Sequence, residues 1–185
     1  MAYAWYEPDP SGRFKQFGNW FREVLDADRL RRGTLAGVLG GLIGGAMLSV
    51  AIMVQTYLQG QDVSAALKFA ALPFIGDRAL QPGFDALAVV GGVVSHFAVS
   101  IAWGILFGIL AFGLPKGWTM LTGAVYGLLV WAVMHGAVVP RLLARPPRIE
   151  PASIALHVVF GLLLATALNS FYSQRLRWPW ARQRA

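Results

Sequence analysis

The sequence predicts an all-α protein: an integral membrane four-helix bundle preceded by an amphipathic interfacial helix. Composition is the first observation behind this reading. Of the 185 residues, 56% are hydrophobic and 14% charged, against about 45–50% and about 25% in soluble domains. The second is how the charges are spread. No Asp, Glu, Lys or Arg lies between Arg32 and Asp62, Asp85 and Lys116, Lys116 and Arg141, or Glu150 and Arg175. The third is that each gap exceeds 20 residues and is rich in Leu, Val, Ala, Ile, Phe and Gly, enough for a helix to cross a hydrocarbon layer about 30 Å thick. The remaining polar sequence is too short to coat four such helices as the core of a soluble protein.

Residues 1–33 form the first segment, expected on the cytoplasmic side. Within it, 11–30 reads as an amphipathic helix. Phe14, Phe17 and Phe21 recur at three-to-four spacing, with Arg13, Lys15 and Arg22 around them. Aromatic and basic faces suit a helix lying on a lipid surface or against a partner subunit. The bundle itself is expected over 34–173, with spans near 34–58, 88–113, 118–140 and 152–173. The first apolar run lies behind acidic residues and is longer than a signal-peptide core, so it is expected to remain as a helix. The loop over 59–87 is long for such a bundle. Its centre, SAALKFAALPF, predicts a short helix started by Ser64 and stopped by Pro73. The second loop on that side holds Arg145, Pro146, Pro147 and Arg148. Residues 174–185 form a basic tail rich in Trp and Arg, suited to anionic headgroups or an acidic partner rather than nucleic acid.

Eleven Lys and Arg flank the spans on the side of the termini and five on the other, so both termini are expected in the cytoplasm. Trp118, Tyr172, Trp178 and Trp180 gather on that same side, as an interfacial aromatic belt does.

Helices in lipid associate where small residues let them approach closely. The first span carries Gly37, Gly41 and Gly45 at four-residue steps, the second Gly104 and Gly108, the third Gly123 and Gly127, and the fourth Gly161. These are the expected packing seams. The two halves also look weakly duplicated: a glycine-bearing helix out, a loop with Arg and Pro, and a helix back with a histidine near its start.

The three histidines, His96, His135 and His157, all lie within apolar spans. At about 1.5 Å per residue, His96 is roughly 16 Å from Asp85, His135 roughly 9 Å from Arg141 and His157 roughly 10 Å from Glu150. All three therefore fall in the half of the bilayer away from the termini. Each shares a face with small residues four apart, such as Ser100 and Gly104 beside His96, or Gly161 and Ala165 beside His157. Ionisable groups in spans face the bundle interior, so the three are expected to converge between the second, third and fourth spans. Imidazole is a ligand for haem iron, copper or zinc. Candidate occupants are haem b, with Arg141 on a propionate, a quinone, or a transition metal on the three histidines with Met134 near. The alternative is that each imidazole bonds a serine or a backbone carbonyl and fastens the bundle. Pro140 favours this, because it frees the carbonyl of Gly136 beside His135.

With no cysteine, disulfides, thiolate zinc sites and cysteine-ligated clusters are excluded. No charge lies within the spans, which argues against a carboxylate-driven ion carrier. No phosphate-binding glycine loop or HExxH is present.

HFAVS in the second span, HVVFG in the fourth and GAVYGLLVWAVMHG in the third resemble a loose group of small, uncharacterised four-helix bacterial inner-membrane proteins over 34–173. The resemblance implies fold and location but no activity. The leading expectation is a non-catalytic accessory or structural subunit of a larger membrane complex, respiratory or photosynthetic, embedded in the lipid bilayer beside other membrane subunits. The alternatives are a haem-, quinone- or metal-binding electron-transfer protein using the histidines, and a small transporter or channel.

Overall fold

The computed structural model describes residues 26–143 and 151–171. Among them there is no strand, and four helices are long and apolar enough to cross a membrane.

Helix α1 (Ala27–Leu58) starts where the Asp26 carboxylate accepts the backbone N–H groups of Asp28 and Arg29, each at 3.1 Å. This capping satisfies donors that the first turn leaves open. The span thus begins seven residues before the expected start at 34. The interfacial helix expected over 11–30 lies outside the described residues up to 25, and 27–30 belong to α1. The expected N-terminal segment of 1–33 therefore meets the bundle at Asp26. Helical propensity in the charged run Asp28–Arg32 carries the helix beyond the apolar window, with Asp28 between Arg31 and Arg32 at 3.4 and 3.0 Å. Arg29 donates from its guanidinium to the Phe112 carbonyl, tying α1 to the turn after the second span.

The long loop is folded. Helix α2 (Val63–Lys68) is capped by Asp62, which accepts from the Ser64 N–H at 2.9 Å and hydroxyl at 2.7 Å. A 3-10 turn (Phe69–Ala71), helix α3 (Leu72–Ile75) and a second 3-10 turn (Gly76–Leu80) follow. Two expectations are corrected here. Asp62, not Ser64, opens the helix. Pro73 stands in the first turn of α3, where its missing N–H costs nothing; the stop comes at Gly76, at φ +56°.

Helix α4 (Ala86–Ala111) is capped by Asp85, through the Leu87 and Ala88 N–H groups at 3.0 and 3.2 Å. Gly113, at φ +100°, turns the chain tightly into α5 (Lys116–Val133), a left-handed position that glycine takes without steric penalty. A π turn (Met134–Val138) then leads into α6 (Val139–Leu142), with Pro140 in its first turn. Helix α7 is Pro151–Ser170.

The four spans pack as two antiparallel hairpins. In the first, Gly33 faces the Gly108 carbonyl, Gly37 that of Gly104 and Gly41 that of Ser100. In the second, Gly123 faces the Gly161 carbonyl and Gly127 that of His157. A Cβ on Gly41 would lie 2.6 Å from the Ser100 oxygen, and one on Gly123 2.6 Å from the Gly161 oxygen, so only glycine allows these backbones to meet. Gly45 closes the same seam against the Ser100 side chain. A second glycine face of α1, Gly40 and Gly44, meets Leu164 and Phe160 of α7 and joins the hairpins. Between α4 and α5 the Tyr126 hydroxyl donates to the Trp103 carbonyl at 2.8 Å. The Tyr126 ring also lies against Phe107, with centroids 5.0 Å apart. Small residues thus line the seams and Phe107, Phe160, Leu164 and Leu168 fill the centre, while large aliphatic ones such as Ile43, Val94 and Leu121 are more than half exposed outside, unlike the polar exterior of a water-soluble bundle.

Candidate histidine site

All three histidines are half-buried and lie toward the loop end of the bundle. His96, on α4, donates from Nε2 to the Gly45 carbonyl of α1 at 3.0 Å. His157, on α7, donates from Nδ1 to the Ser153 carbonyl at 2.7 Å, and His135, in the π turn, donates from Nδ1 to the Trp131 carbonyl at 3.3 Å. A carbonyl only accepts, so each contact fixes the ring nitrogen as donor. In the neutral rings, the lone pair is then on Nδ1 of His96 and on Nε2 of His135 and His157.

The His135 and His157 rings meet edge to face with centroids 5.3 Å apart. Their backbones are not level: the His157 carbonyl faces Gly127, roughly 12 Å along the helix from His135. The rings meet because side chains lean toward their helix N-terminus, and α5 and α7 run in opposite directions. His135 also stacks on Trp131 at 5.6 Å, and Trp131 donates from Nε1 to the Ser153 hydroxyl at 3.0 Å. This network holds α5 and α7 together at the loop end.

His96 and His157 share a cavity of about 70 Å³, walled by Leu48, Val99, Ser100, Trp103, Val130, Met134 and Phe160. His135 lies on the far side of His157, outside this lining. A second cavity of about 30 Å³, between α2 and the bundle, is lined by Ser49, Ala66, Leu67, Ala70 and again His96.

The structure thus brings the sequence-predicted residues together in pairs rather than as one trio. Among the described residues, no group of three His, Asp or Glu side chains could hold a metal ion, so a three-histidine metal centre is not assembled. The 70 Å³ cavity is far below the ~300 Å³ at which pockets begin to take organic ligands. As packed, this one cavity is smaller than haem b or a quinone. Arg141, the residue expected on a propionate, is exposed and donates to the Ala137 carbonyl of the preceding π turn at 2.6 Å. The π turn beneath it follows from Pro140, which has no N–H to give; the Val139 N–H reaches back to the Met134 carbonyl instead.

Sequence reasoning missed Lys68. It is 1% exposed, and its ammonium donates to the Gln81 and Gly83 carbonyls at 2.6 and 2.5 Å, folding the loop onto itself. The signal was a lone lysine in an apolar run, SAALKFAAL. The adjacent Leu67 carbonyl rests on Gly92, anchoring the loop on α4. Outside the spans, Arg78 pairs with Asp85 at 2.7 Å. This hydrogen bond, with the Ala88 N–H, holds the Asp85 carboxyl below the usual range.

A small all-α bundle of four membrane-length helices, seamed by glycine and cross-tied by histidine, is the class of protein that this fold and site define. The chain belongs to the DUF6789 family, a family of unknown function, with the match covering residues 31–178. That range contains three of the four spans whole, all but the first turn of α1, and every histidine. No curated protein and no solved structure matches the chain.

Proposed function

We propose that the protein is a non-catalytic accessory or structural subunit of a larger complex in the bacterial cytoplasmic membrane, respiratory or photosynthetic in kind, with both termini in the cytoplasm. One observation carries this reading: the hydrogen bonds that the histidines and Tyr126 donate inside the bundle go to the bundle's own backbone, while the buried Asn169 amide nitrogen has no partner among the described residues and is open to a neighbour. Each histidine bonds a backbone carbonyl, the Tyr126 hydroxyl bonds another, and the seams close backbone to backbone. No charged side chain lies within the apolar gaps to drive transport, and the cavity that His96 and His157 share is too small for an organic substrate. The excess of Lys and Arg at the termini supports the orientation. The basic and aromatic sequences at both ends suit contact with neighbours and anionic lipid.

The test is extraction of native membranes in mild detergent, followed by cross-linking and mass spectrometry. The protein should co-migrate with other membrane polypeptides at fixed stoichiometry. A stable monomer that isolates with nothing would overturn the reading.

A further inference from the structure

We propose that the cavity between His96 and His157 is a binding site for one soft monovalent metal ion, copper(I), with the Met134 thioether as third donor. The inference stands on its own, apart from the subunit reading. Both imidazoles line the cavity, and each already donates one ring N–H to a carbonyl. This is the outer-sphere arrangement that orients metal-binding histidines and raises their basicity. Each ring keeps one sp² lone pair. Met134 lines the same cavity, and thioether with imidazole is a donor set that favours copper(I).

Charge selects the oxidation state. His96, His157 and Met134 are neutral ligands, and no carboxylate lies in the apolar gaps of the spans. The cost of burying an ion rises with the square of its charge, so zinc(II) or copper(II) would stand uncompensated where a single positive charge is tolerable. Trp103, in the same wall, adds an aromatic ring that attracts a cation brought over its face. The volume of about 70 Å³ accepts an ion with a water or two. His96 also lines the smaller cavity beneath α2, so it stands between the loop side and the site.

The test titrates the purified full-length protein in detergent, without oxygen, with copper(I) buffered by a chromogenic chelator, and with zinc(II) in parallel. The expected result is one copper(I) per chain, with X-ray absorption showing nitrogen and sulfur scatterers, and no stoichiometric zinc. His96→Gln and His157→Gln should weaken binding tenfold or more and Met134→Leu several-fold, while Gly117→Ala, with nothing within 4 Å of its Cβ position, leaves it unchanged. Met134→Leu conserves volume and keeps the test decisive if a histidine variant fails to fold. No copper bound by the wild type, binding unchanged in His96→Gln and Met134→Leu, or an equal affinity for zinc(II) would overturn the proposal.

Discussion

At Gly104 a single hydrogen atom decides whether two helices can touch. A Cβ there would collide with the Gly37 carbonyl, and its other near neighbours are the backbone of Gly41, which cannot swing aside. Gly104→Ala should therefore destabilise the bundle by about 1–3 kcal/mol, as overpacking does, read as a lower unfolding midpoint in detergent. Gly117 supplies the contrast: nothing lies within 4 Å of its Cβ position. Gly117→Ala should be neutral or gain a few tenths of a kcal/mol through helix propensity. Lys68→Met should leave the carbonyls of Gln81 and Gly83 without their donor, at about 1–3 kcal/mol. The readout is faster proteolysis between Gly76 and Asp85, with the helical content of the spans unchanged. The four-residue glycine spacing was legible in the sequence because a periodic pattern survives without knowledge of the partner. The role of Lys68 was not, since its acceptors lie 13 and 15 residues away and are backbone groups with no residue signature.

Among the elements, the four spans were legible because a membrane imposes length and apolarity directly on composition. Their ends were less so. The first helix runs back to Asp26 because a cap and charged helix formers extend it beyond the apolar window. Pro73 misled because the sequence does not say whether a proline ends one turn or starts the next. The loop between α1 and α4 carries the acid sensitivity of the fold. Asp62 is held below its ordinary range by the Ser64 hydroxyl first and the Ser64 N–H second, and Asp85 by Arg78 first. A carboxyl with a depressed folded-state pKa stabilises above its ordinary value and loses that contribution as pH falls through the lower one. Protection against hydrogen exchange over 62–85, taken relative to the intrinsic rate at each pH, should therefore be high at neutral pH and fall below about pH 4, with that of α5 and α7 unaffected. Asp85→Asn should give the faster exchange at neutral pH and flatten the response.

The whole molecule is two glycine-seamed hairpins joined mainly by the second face of α1. The sequence suggested a shared depth for the histidines, but the His157 backbone lies level with Gly127, roughly 12 Å along α5 from His135. Which rings meet depends on helix direction and side-chain lean, so His135 meets His157 while His96 reaches α1. The hairpin junction offers a test. At Gly44 the nearest atoms are the ring carbons of Phe160, at 2.8 and 3.0 Å. Gly44→Val should therefore loosen the two hairpins from each other while sparing each one. Co-expressed halves split at the 112–115 turn should co-purify with Gly44 present and separate with valine in its place.

The glycine seams crowd toward the end of the bundle where α1 begins, and the two cavities that His96 lines lie toward the other. At the first end backbone is welded to backbone, whereas at the second the ties run through side chains: His96 to Gly45, Trp131 to Ser153, and His135 against His157. A guest or a docking neighbour arriving there meets groups that rotate about single bonds, a freedom the weld does not have.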